Sequence, residues 1–198
     1  MRIATIIFIS LVFYSCNGGS NSPFQPKSLW SALKDSFSKQ NLNEFKLDKE
    51  LFATYRNLHR IESNRLDSTL SNKWSKVYLY SWQVRDSRYN EFTTIIQEED
   101  RGVRIVYYIF DQNDSLLSAT KVAHGSMEAE YEFVTHSRFK DKDMLLTTMS
   151  MTQVYDMGTR TQLKETKGDT LVVEYLINKD GSTSEDTIKN KRELTLDD

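Results

Sequence analysis

The sequence contains little that could crosslink the chain or span a membrane. Cys16 is its one cysteine, so an intramolecular disulfide is excluded. The two prolines, Pro23 and Pro26, lie near the N-terminus, and every later residue keeps a backbone N–H for a sheet ladder. No apolar run reaches the roughly 20 residues that a membrane-spanning helix needs. Long strands are therefore permitted from residue 27 onward.

Motifs for catalysis or metal binding are equally scarce. The sequence has no G-x-S-x-G nucleophile elbow, no P-loop and no H-E-x-x-H zinc motif. The three histidines, His59, His124 and His136, are far apart, and none has a second histidine at metal-ligand spacing. The three adjacent carboxylates of 98–100 fit a solvated turn better than an acid pair. We therefore predict no catalytic residue, no metal site and no cofactor.

Charges of both signs are mixed along the chain. The 26 lysines and arginines and the 28 aspartates and glutamates give a formal net charge of −2 at pH 7. Nucleic-acid-binding domains are typically basic or carry a basic face, so we predict no nucleic-acid partner. The most basic cluster, 189–193, is expected to keep an exposed edge strand soluble, with a phosphate or lipid-headgroup patch as the alternative.

The first sixteen residues have the pattern of an export signal. Arg2 precedes an apolar run, 3–14, whose length suits a signal-peptide core rather than a transmembrane helix. The run ends in Phe13-Tyr14-Ser15-Cys16. This ending resembles the lipobox of bacterial lipoproteins, where a small residue precedes a cysteine that receives a diacylglyceryl group. The alternative is an incidental cysteine in a signal that is cleaved further on.

The resemblance to lipoproteins implies where the protein is located and how it is attached to a membrane. Residues 1–15 would be removed by cleavage between Ser15 and Cys16, and Cys16 would carry the acyl chains that hold the protein on a membrane. Two or more acyl chains give stable attachment, so no transmembrane helix is required. Residues 16–27 are rich in Asn, Gly, Ser and Pro, as in a flexible tether. Asn17, in place of aspartate, favours the outer membrane of the cell envelope, facing the periplasm or the surface.

Residues 28–198 are predicted to form one domain that begins with one or two helices. Leu29, Leu33 and Phe37 share a helix face, with Trp30 beside it. A second helical pattern, preceded by Asp48, is expected to pack its apolar face on a sheet. That face consists of Leu47, Leu51, Tyr55 and Leu58.

The rest of the domain alternates apolar and polar residues with the period of strands. We predict nine runs, at 77–84, 92–97, 103–110, 116–123, 129–135, 145–155, 159–166, 171–177 and 183–194. Polar turns separate them, and Gly102, Gly125, Gly158, Gly168 and Gly181 are expected in those turns. Because no helix intervenes, the fold class is mainly β. We expect an antiparallel meander of eight or nine strands that forms a barrel or a strongly curled sheet.

Aromatic residues supply the remaining indication of a site. Tyr78, Tyr80 and Trp82 are two residues apart and are expected on one side of a strand, with Tyr107 and Tyr131 as neighbours across the sheet. Such a stripe forms either the core or the wall of a ligand pocket. Met149 and Met151 share a face with Leu145 and Thr147, which indicates core filling, with Cu(I) binding as the alternative.

From these observations we predict that the protein is a non-enzymatic lipoprotein of the cell envelope. Its expected partners are the membrane, through the lipid on Cys16, and an envelope protein or a small apolar or glycan ligand. The alternative is a structural or assembly component of an envelope complex. An enzyme whose site assembles from distant residues is the third hypothesis.

Acylation of Cys16 can be tested by substitution. Cys16→Ala should release the protein from the membrane fraction, because no other residue is expected to hold it there. Fractionation of cells into soluble and membrane material measures the effect. Unchanged membrane association of the variant would contradict acylation.

Overall fold

The computed structural model describes residues 29–62, 75–98, 102–162 and 168–193. The predicted signal peptide, the tether and Cys16 lie outside these residues. Two short helices, α1 (Leu29–Ala32) and α2 (Lys49–Thr54), are each followed by a 3₁₀ turn, Lys34–Ser36 and Tyr55–Asn57. The strands are β1 (Lys39–Gln40), β2 (Glu44–Phe45), β3 (Arg60–Ile61), β4 (Lys76–Gln83), β5 (Asn90–Glu98), β6 (Gly102–Phe110), β7 (Leu116–Glu128), β8 (Tyr131–Asp141), β9 (Met144–Gln153), β10 (Tyr155–Asp156), β11 (Thr161–Gln162), β12 (Gly168–Ile177) and β13 (Thr183–Glu193).

The eight long strands form one sheet in chain order, from β4 to β9 and then β12 and β13. Each pairs antiparallel with its neighbour. The mainly β fold class and the predicted meander are therefore confirmed. β1 adds a parallel pair to β4, β3 adds an antiparallel pair to β4, and β10 pairs with β11 outside the sheet. The sheet is open, so the predicted closure into a barrel is not found.

Both faces of the central strands β5 and β6 are buried. This explains why β6 is apolar almost without interruption. On one face lies a cluster that we call the Trp30 cluster: Trp30, Phe37, Ile61, Val77, Leu79, Trp82, Phe92, Ile96, Val106, Tyr108 and Phe110. On the other lies the Tyr55 cluster: Phe45, Tyr55, Tyr78, Ile95, Val103, Ile105, Tyr107, Ile109, Val122, Ala123, Leu145 and Ile177.

The N-terminal segment supplies residues to both faces by passing around the edge of the sheet at β4. Before the crossing, Trp30 packs on Phe92 and Phe110 with ring centroids 4.7 and 5.0 Å apart. After it, Tyr55 meets Tyr78 edge to face at 5.5 Å. The two helical regions therefore cover opposite faces. Without this wrapping, one face of β4–β6 would expose its apolar residues to water.

The crossing segment, residues 39–45, also joins β4 to β8. The backbone N–H of Asn41 donates to the carbonyl of Trp82 in β4 at 2.9 Å, and the N–H of Phe139 in β8 donates to the carbonyl of Asn43 at 2.9 Å. In a flat sheet, β4 and β8 would be about 19 Å apart, at about 4.8 Å per strand. Two residues of backbone cannot span that distance, so the sheet between β4 and β8 bends.

Several predicted boundaries are wrong. Gly125 lies within β7, and the turn comes later at Ala129 and Glu130. β8 extends to Asp141, six residues beyond the end of the predicted run at 129–135. Gly168 begins β12 and pairs with Thr152 instead of forming a hairpin turn. Of the run at 159–166, the described residues contain only the two-residue strand β11.

The helix predictions are partly confirmed. Asp48 caps α2, because its Oδ1 accepts a hydrogen bond from the N–H of Leu51 at 2.8 Å. The predicted face of α2 packs on the Tyr55 cluster. α1 differs: it ends after Ala32, so the expected face does not continue to Phe37. Leu29 is 41% exposed and Trp30 is the buried residue, at 1%.

Four turns lie together at one end of the sheet, which we call the turn end: 84–89, 111–115, 142–143 and 178–182. Hydrogen bonds join them across the strands. Arg88 Nη1 and the Tyr89 hydroxyl donate to the carbonyl of Lys179 at 3.2 and 2.5 Å. The chain enters at this end, where the N–H of Leu29 donates to Asp114 Oδ2 at 2.6 Å.

Gly181 tests how tightly the turn end is packed. Its φ is +83°, and a Cβ there would lie 2.6 Å from Leu117 Cδ1 and 3.2 Å from Tyr89 Cε1. Gly181→Ala should lower the free energy of unfolding by about 1–3 kcal/mol. Leu117 can shift to relieve the contact with the new Cβ, but the positive φ would still strain the backbone of an alanine. Urea unfolding measures the change.

Gly125→Ala is the matched control. Its Cβ would lie 3.7 Å from Leu47 Cδ1, an ordinary contact, and its effect should stay within about 1 kcal/mol. Equal effects of the two substitutions would contradict the packing described for the turn end.

Candidate functional site

A β-bulge interrupts the aromatic stripe predicted on β4. Pairing with β5 shifts between Leu79 and Ser81, and Tyr80 has no partner in that register. Because a bulge resets the alternation of a strand, Trp82 turns to the face of the Trp30 cluster, with its ring 5.4 Å from Phe37. Tyr78 belongs to the Tyr55 cluster on the opposite face. The prediction that the three aromatics share one side is wrong for Trp82.

Tyr107 and Tyr131 are far from each other in the sheet. Tyr107 is buried in the Tyr55 cluster, 6.0 Å from Phe45 and 5.8 Å from Phe139. Tyr131 pairs with Glu128, three residues beyond the last β7 residue that pairs with β6. It contacts Phe133 at 6.5 Å instead. The structure therefore does not bring Tyr131 to the other predicted site aromatics.

Tyr80 lines a cavity of about 620 Å³ between the crossing segment and α2, which we call the Tyr80 cleft. Its wall consists of Ser38, Lys39, Leu42, Asn43, Glu44, Lys46, Asp48, Glu50, Leu51, Thr54, Leu58 and Tyr80. The Ser38 hydroxyl donates to the carbonyl of Tyr80 at 3.0 Å and fixes one side of the cleft to β4. The size falls within the range of small-molecule pockets.

The Tyr80 cleft combines an apolar surface with polar groups. Leu42, Leu51 and Leu58 pack against the Tyr55 cluster below it, and the phenol of Tyr80 is half-buried. Burial, and then the nearby carboxylates of Asp48 and Glu50, raise the pKa of Tyr80 above its ordinary value of 10. The hydroxyl is therefore protonated at neutral pH. No described residue hydrogen-bonds it, so it can donate to a ligand.

A group of hydrogen-bonded polar side chains lies in the interior of the sheet. Its carboxylate belongs to Glu91, which is only 1% exposed. Arg85 Nε donates to Glu91 Oε2 at 2.7 Å and to the Tyr107 hydroxyl at 2.9 Å. The Tyr107 hydroxyl donates to Glu91 Oε2 at 2.6 Å. A buried carboxylate needs such partners, because its desolvation would otherwise cost several kcal/mol. We call Arg85, Glu91 and Tyr107 the Arg85 triad.

The triad is connected to the opposite part of the sheet. The Arg85 guanidinium stacks over the ring of Phe139 at 4.5 Å, and its Nη1 donates to the carbonyl of Lys142. Although burial acts to lower the pKa of Arg85, Tyr107 and Glu91 raise it, so the guanidinium stays charged. Arg85 therefore holds the loop after β4 against the β8–β9 turn.

The histidines and carboxylates form no metal centre in the described ranges. There, no group of three His, Cys, Asp or Glu side chains is close enough to hold a metal ion. His124 and His136 lie on β7 and β8, and His59 precedes β3. Of the three adjacent carboxylates, only Glu98 is described, and it accepts from Arg104 Nη2 at 2.8 Å.

Met149 and Met151 share a face of β9 with Leu145 and Thr147, but only Leu145 and Thr147 are buried, so the predicted filling of the core by the two methionines is not found. Cross-strand pairing aligns Phe133 with Met151, and Thr135 with Met149. Together with Leu171 and His124 they line a cavity of about 360 Å³ on β7, β8, β9 and β12. The neighbouring Val134 is 37% exposed. This end of the sheet carries apolar surface that the described helices do not cover.

The fold is an open, mainly antiparallel sheet whose central strands are covered on both faces by one N-terminal segment. No protein-family profile matches the chain, and no curated protein or solved structure shows significant similarity to it. Among the described residues, no helix has the length and apolar character needed to cross a membrane.

Sequence reasoning missed the Arg85 triad and the Tyr80 cleft. One signal of the triad was available: Glu91 immediately precedes a run of five aromatic or β-branched residues, 92–96, and Arg85 lies six residues before it. A charge at the start of a buried strand calls for a nearby partner. The cleft has no comparable signal, because it forms between segments that are distant in sequence.

Tyr107→Phe tests the triad through the pH dependence of stability. Burial, and then the charge of Glu91, raise the pKa of Tyr107 well above 10, while Arg85 opposes them. In the folded state the phenol therefore stays protonated at pH values where the unfolded chain loses its proton. The stabilising contribution is complete below pH 10 and declines above it, by up to about 1.4 kcal/mol per pH unit.

In Tyr107→Phe the alkaline decline should be smaller than in the wild type. At pH 7 the variant should lose about 1–3 kcal/mol, because Glu91 loses a hydrogen bond to a buried charge. Urea unfolding from pH 8 to 11 measures both effects. Parallel pH profiles for the two proteins would refute the environment assigned to Tyr107.

Proposed function

We propose that the chain is a lipid-anchored, non-enzymatic binding module of the bacterial cell envelope, and that its ligand occupies the Tyr80 cleft. The observation that carries this proposal is the cleft itself. It has an apolar floor of leucines, a half-buried tyrosine whose hydroxyl no described residue engages, and charged groups at its rim. Pockets that bind small molecules combine apolar surface with few polar groups in this way.

The charges at the rim narrow the class of ligand. Glu44, Asp48 and Glu50 outnumber Lys39 and Lys46, so the cleft is slightly acidic. Carboxylates accept hydrogen bonds from hydroxyl and amide groups, while the leucines and the tyrosine ring suit the apolar face of a sugar or an aliphatic chain. We infer a glycan, a peptide segment or another ligand with both apolar and hydrogen-bonding surfaces.

The proposed anchor fits the position at which the chain enters the domain. Acylation of Cys16 would place the lipid before Leu29, which is held at the turn end by Asp114. Residues 17–28 can span at most about 40 Å. The turn end would then lie within about 40 Å of the membrane that holds the lipid, and we propose that this membrane is the outer membrane. The Tyr80 cleft remains on the side of the sheet, accessible to envelope ligands.

A structural role in an envelope complex is the second candidate. It is supported by the apolar face on β8, β9 and β12, with Phe133, Met149, Met151 and Leu171. A large uncovered apolar face can mark a protein interface. Crosslinking in cells that recovers only free monomer would count against this role.

Substitution of Tyr80 tests the proposed site. The mature chain from residue 16, carrying Cys16→Ser, would be titrated with chitotriose, with maltotriose and with the apolar dye anilinonaphthalene sulfonate. At least one probe should shift the NMR signals of Leu42, Leu51 and Tyr80. Tyr80→Ala should weaken that binding about tenfold or more, because stacking on an aromatic ring contributes on the order of 1.5 kcal/mol.

Two further variants separate binding from folding. Tyr80→Phe keeps the ring and should bind with intermediate affinity, since only the hydroxyl is lost. Tyr131→Ala lies far from the cleft and should bind as the wild type does. If no probe reaches the cleft, or if Tyr80→Ala binds as tightly as the wild type, the cleft is not the binding site.

A further inference from the structure

We propose that a third cavity, at the turn end, binds an oxyanion, namely the carboxylate or phosphate group of a small molecule. The cavity measures about 300 Å³ and is formed by the loop after β4, the β8–β9 turn and the β12–β13 turn. It is separate from the Tyr80 cleft, and the two have no lining residue in common. The inference therefore does not depend on a ligand in that cleft.

More cationic than anionic side chains line the cavity. Four cationic and three anionic side chains line the cavity. Two of the anions are already engaged: Glu91 with Arg85 at 2.7 Å, and Asp86 with Arg88 at 2.6 Å. Asp143 is the third. The cavity is therefore net positive in a chain whose formal net charge is −2, whereas the Tyr80 cleft is net negative.

The two lysines that line the cavity are available to bind a ligand. Lys142 and Lys179 form no ion pair with any described residue. Both are exposed at the tips of turns. Their flexible side chains can bring two ammonium groups to one anion, which is how lysine usually binds phosphate and carboxylate. Neither lysine is needed for the packing of the sheet.

The cavity is also lined by Arg85, whose guanidinium is held in one position. Arg85 uses Nε for Glu91 and Tyr107, and Nη1 for the carbonyl of Lys142. Its Nη2 donates to no group in the described part of the chain. The side chain is held rigidly, because it stacks on Phe139 at 4.5 Å. A rigid donor costs little conformational entropy when it binds an anion.

The three cationic groups suit an oxyanion better than an apolar or cationic ligand. A guanidinium N–H and two ammonium groups all donate hydrogen bonds and carry positive charge. Oxygens of carboxylate and phosphate accept such charge-assisted hydrogen bonds. The small volume admits a compact solute or one headgroup and excludes a long chain.

The test is an NMR titration of the mature chain from residue 16 carrying Cys16→Ser. Inorganic phosphate and succinate would be added separately, with sodium chloride at equal ionic strength as the reference. We expect saturable shifts at 85–91, 142–143 and 178–180 from at least one of them. Lys142→Gln combined with Lys179→Gln should weaken that binding about tenfold or more.

Lys140→Gln is the matched control. Lys140 is an exposed lysine near the same turn, but it pairs with Glu174 at 3.2 Å and does not line the cavity. Its substitution should leave binding unchanged, as should Tyr80→Ala. The proposal is overturned if neither anion gives saturable shifts beyond those of chloride, or if the double variant binds as the wild type does.

Sedimentation with phosphatidylcholine vesicles, with and without phosphatidylglycerol, distinguishes the source of the anion. Binding to free phosphate or succinate without binding to vesicles indicates a soluble ligand. Binding to anionic vesicles that is lost in the lysine double variant indicates a lipid headgroup. Vesicle binding that persists in the double variant would contradict a role of this cavity at the membrane.

Discussion

The architecture depends on one buried carboxylate. Glu91 lies in the interior of the sheet, and among the described residues the Arg85 guanidinium and the Tyr107 hydroxyl are the hydrogen-bond donors to its carboxylate. Removal of Arg85 would leave the buried carboxylate of Glu91 without a counter-charge, which destabilises a protein by about 3–5 kcal/mol. Removal of the Tyr107 hydroxyl would cost Glu91 one hydrogen bond and about 1–3 kcal/mol. Arg85 in turn holds the carbonyl of Lys142 and the ring of Phe139, so the same ion pair joins β4 and β5 to the β8–β9 turn. A purely apolar contact could fill this space but would not fix the direction of the loop.

The crossing segment bends the sheet, and this segment and the turns of the turn end form the walls of the two proposed sites. The crossing segment pairs with β4 and with β8 on the same side of the molecule as the Arg85 triad. Where the segment leaves β4 and turns into α2, it encloses the Tyr80 cleft. Where the turns meet at the far side of Arg85, they enclose the cationic cavity. The two proposed sites share no lining residue and carry opposite net charge.

Much of the sheet could be predicted from the sequence, because alternation of side chains and the position of turn residues are local properties. The run around Ile105 and the turn at Gly181 are examples, and Asp48 marked the start of α2 correctly. The bulge at Tyr80 could not be predicted, since no glycine marks it, and it moved Trp82 to the other face. Burial of Trp30 rather than Leu29 depends on packing against Phe92, which is distant in sequence. Both cavities form between remote segments, so local patterns contain no sign of them.

The central claim is that Tyr80 contacts a ligand bound in the Tyr80 cleft. Native mass spectrometry of the protein, isolated in mild detergent from the cells that express it, tests it most directly. The account predicts a discrete noncovalent adduct of constant mass, present in the wild type and in Tyr131→Ala, and lost in Tyr80→Ala while the fold is retained. An adduct that is retained in Tyr80→Ala, or a wild type that carries none, would contradict it.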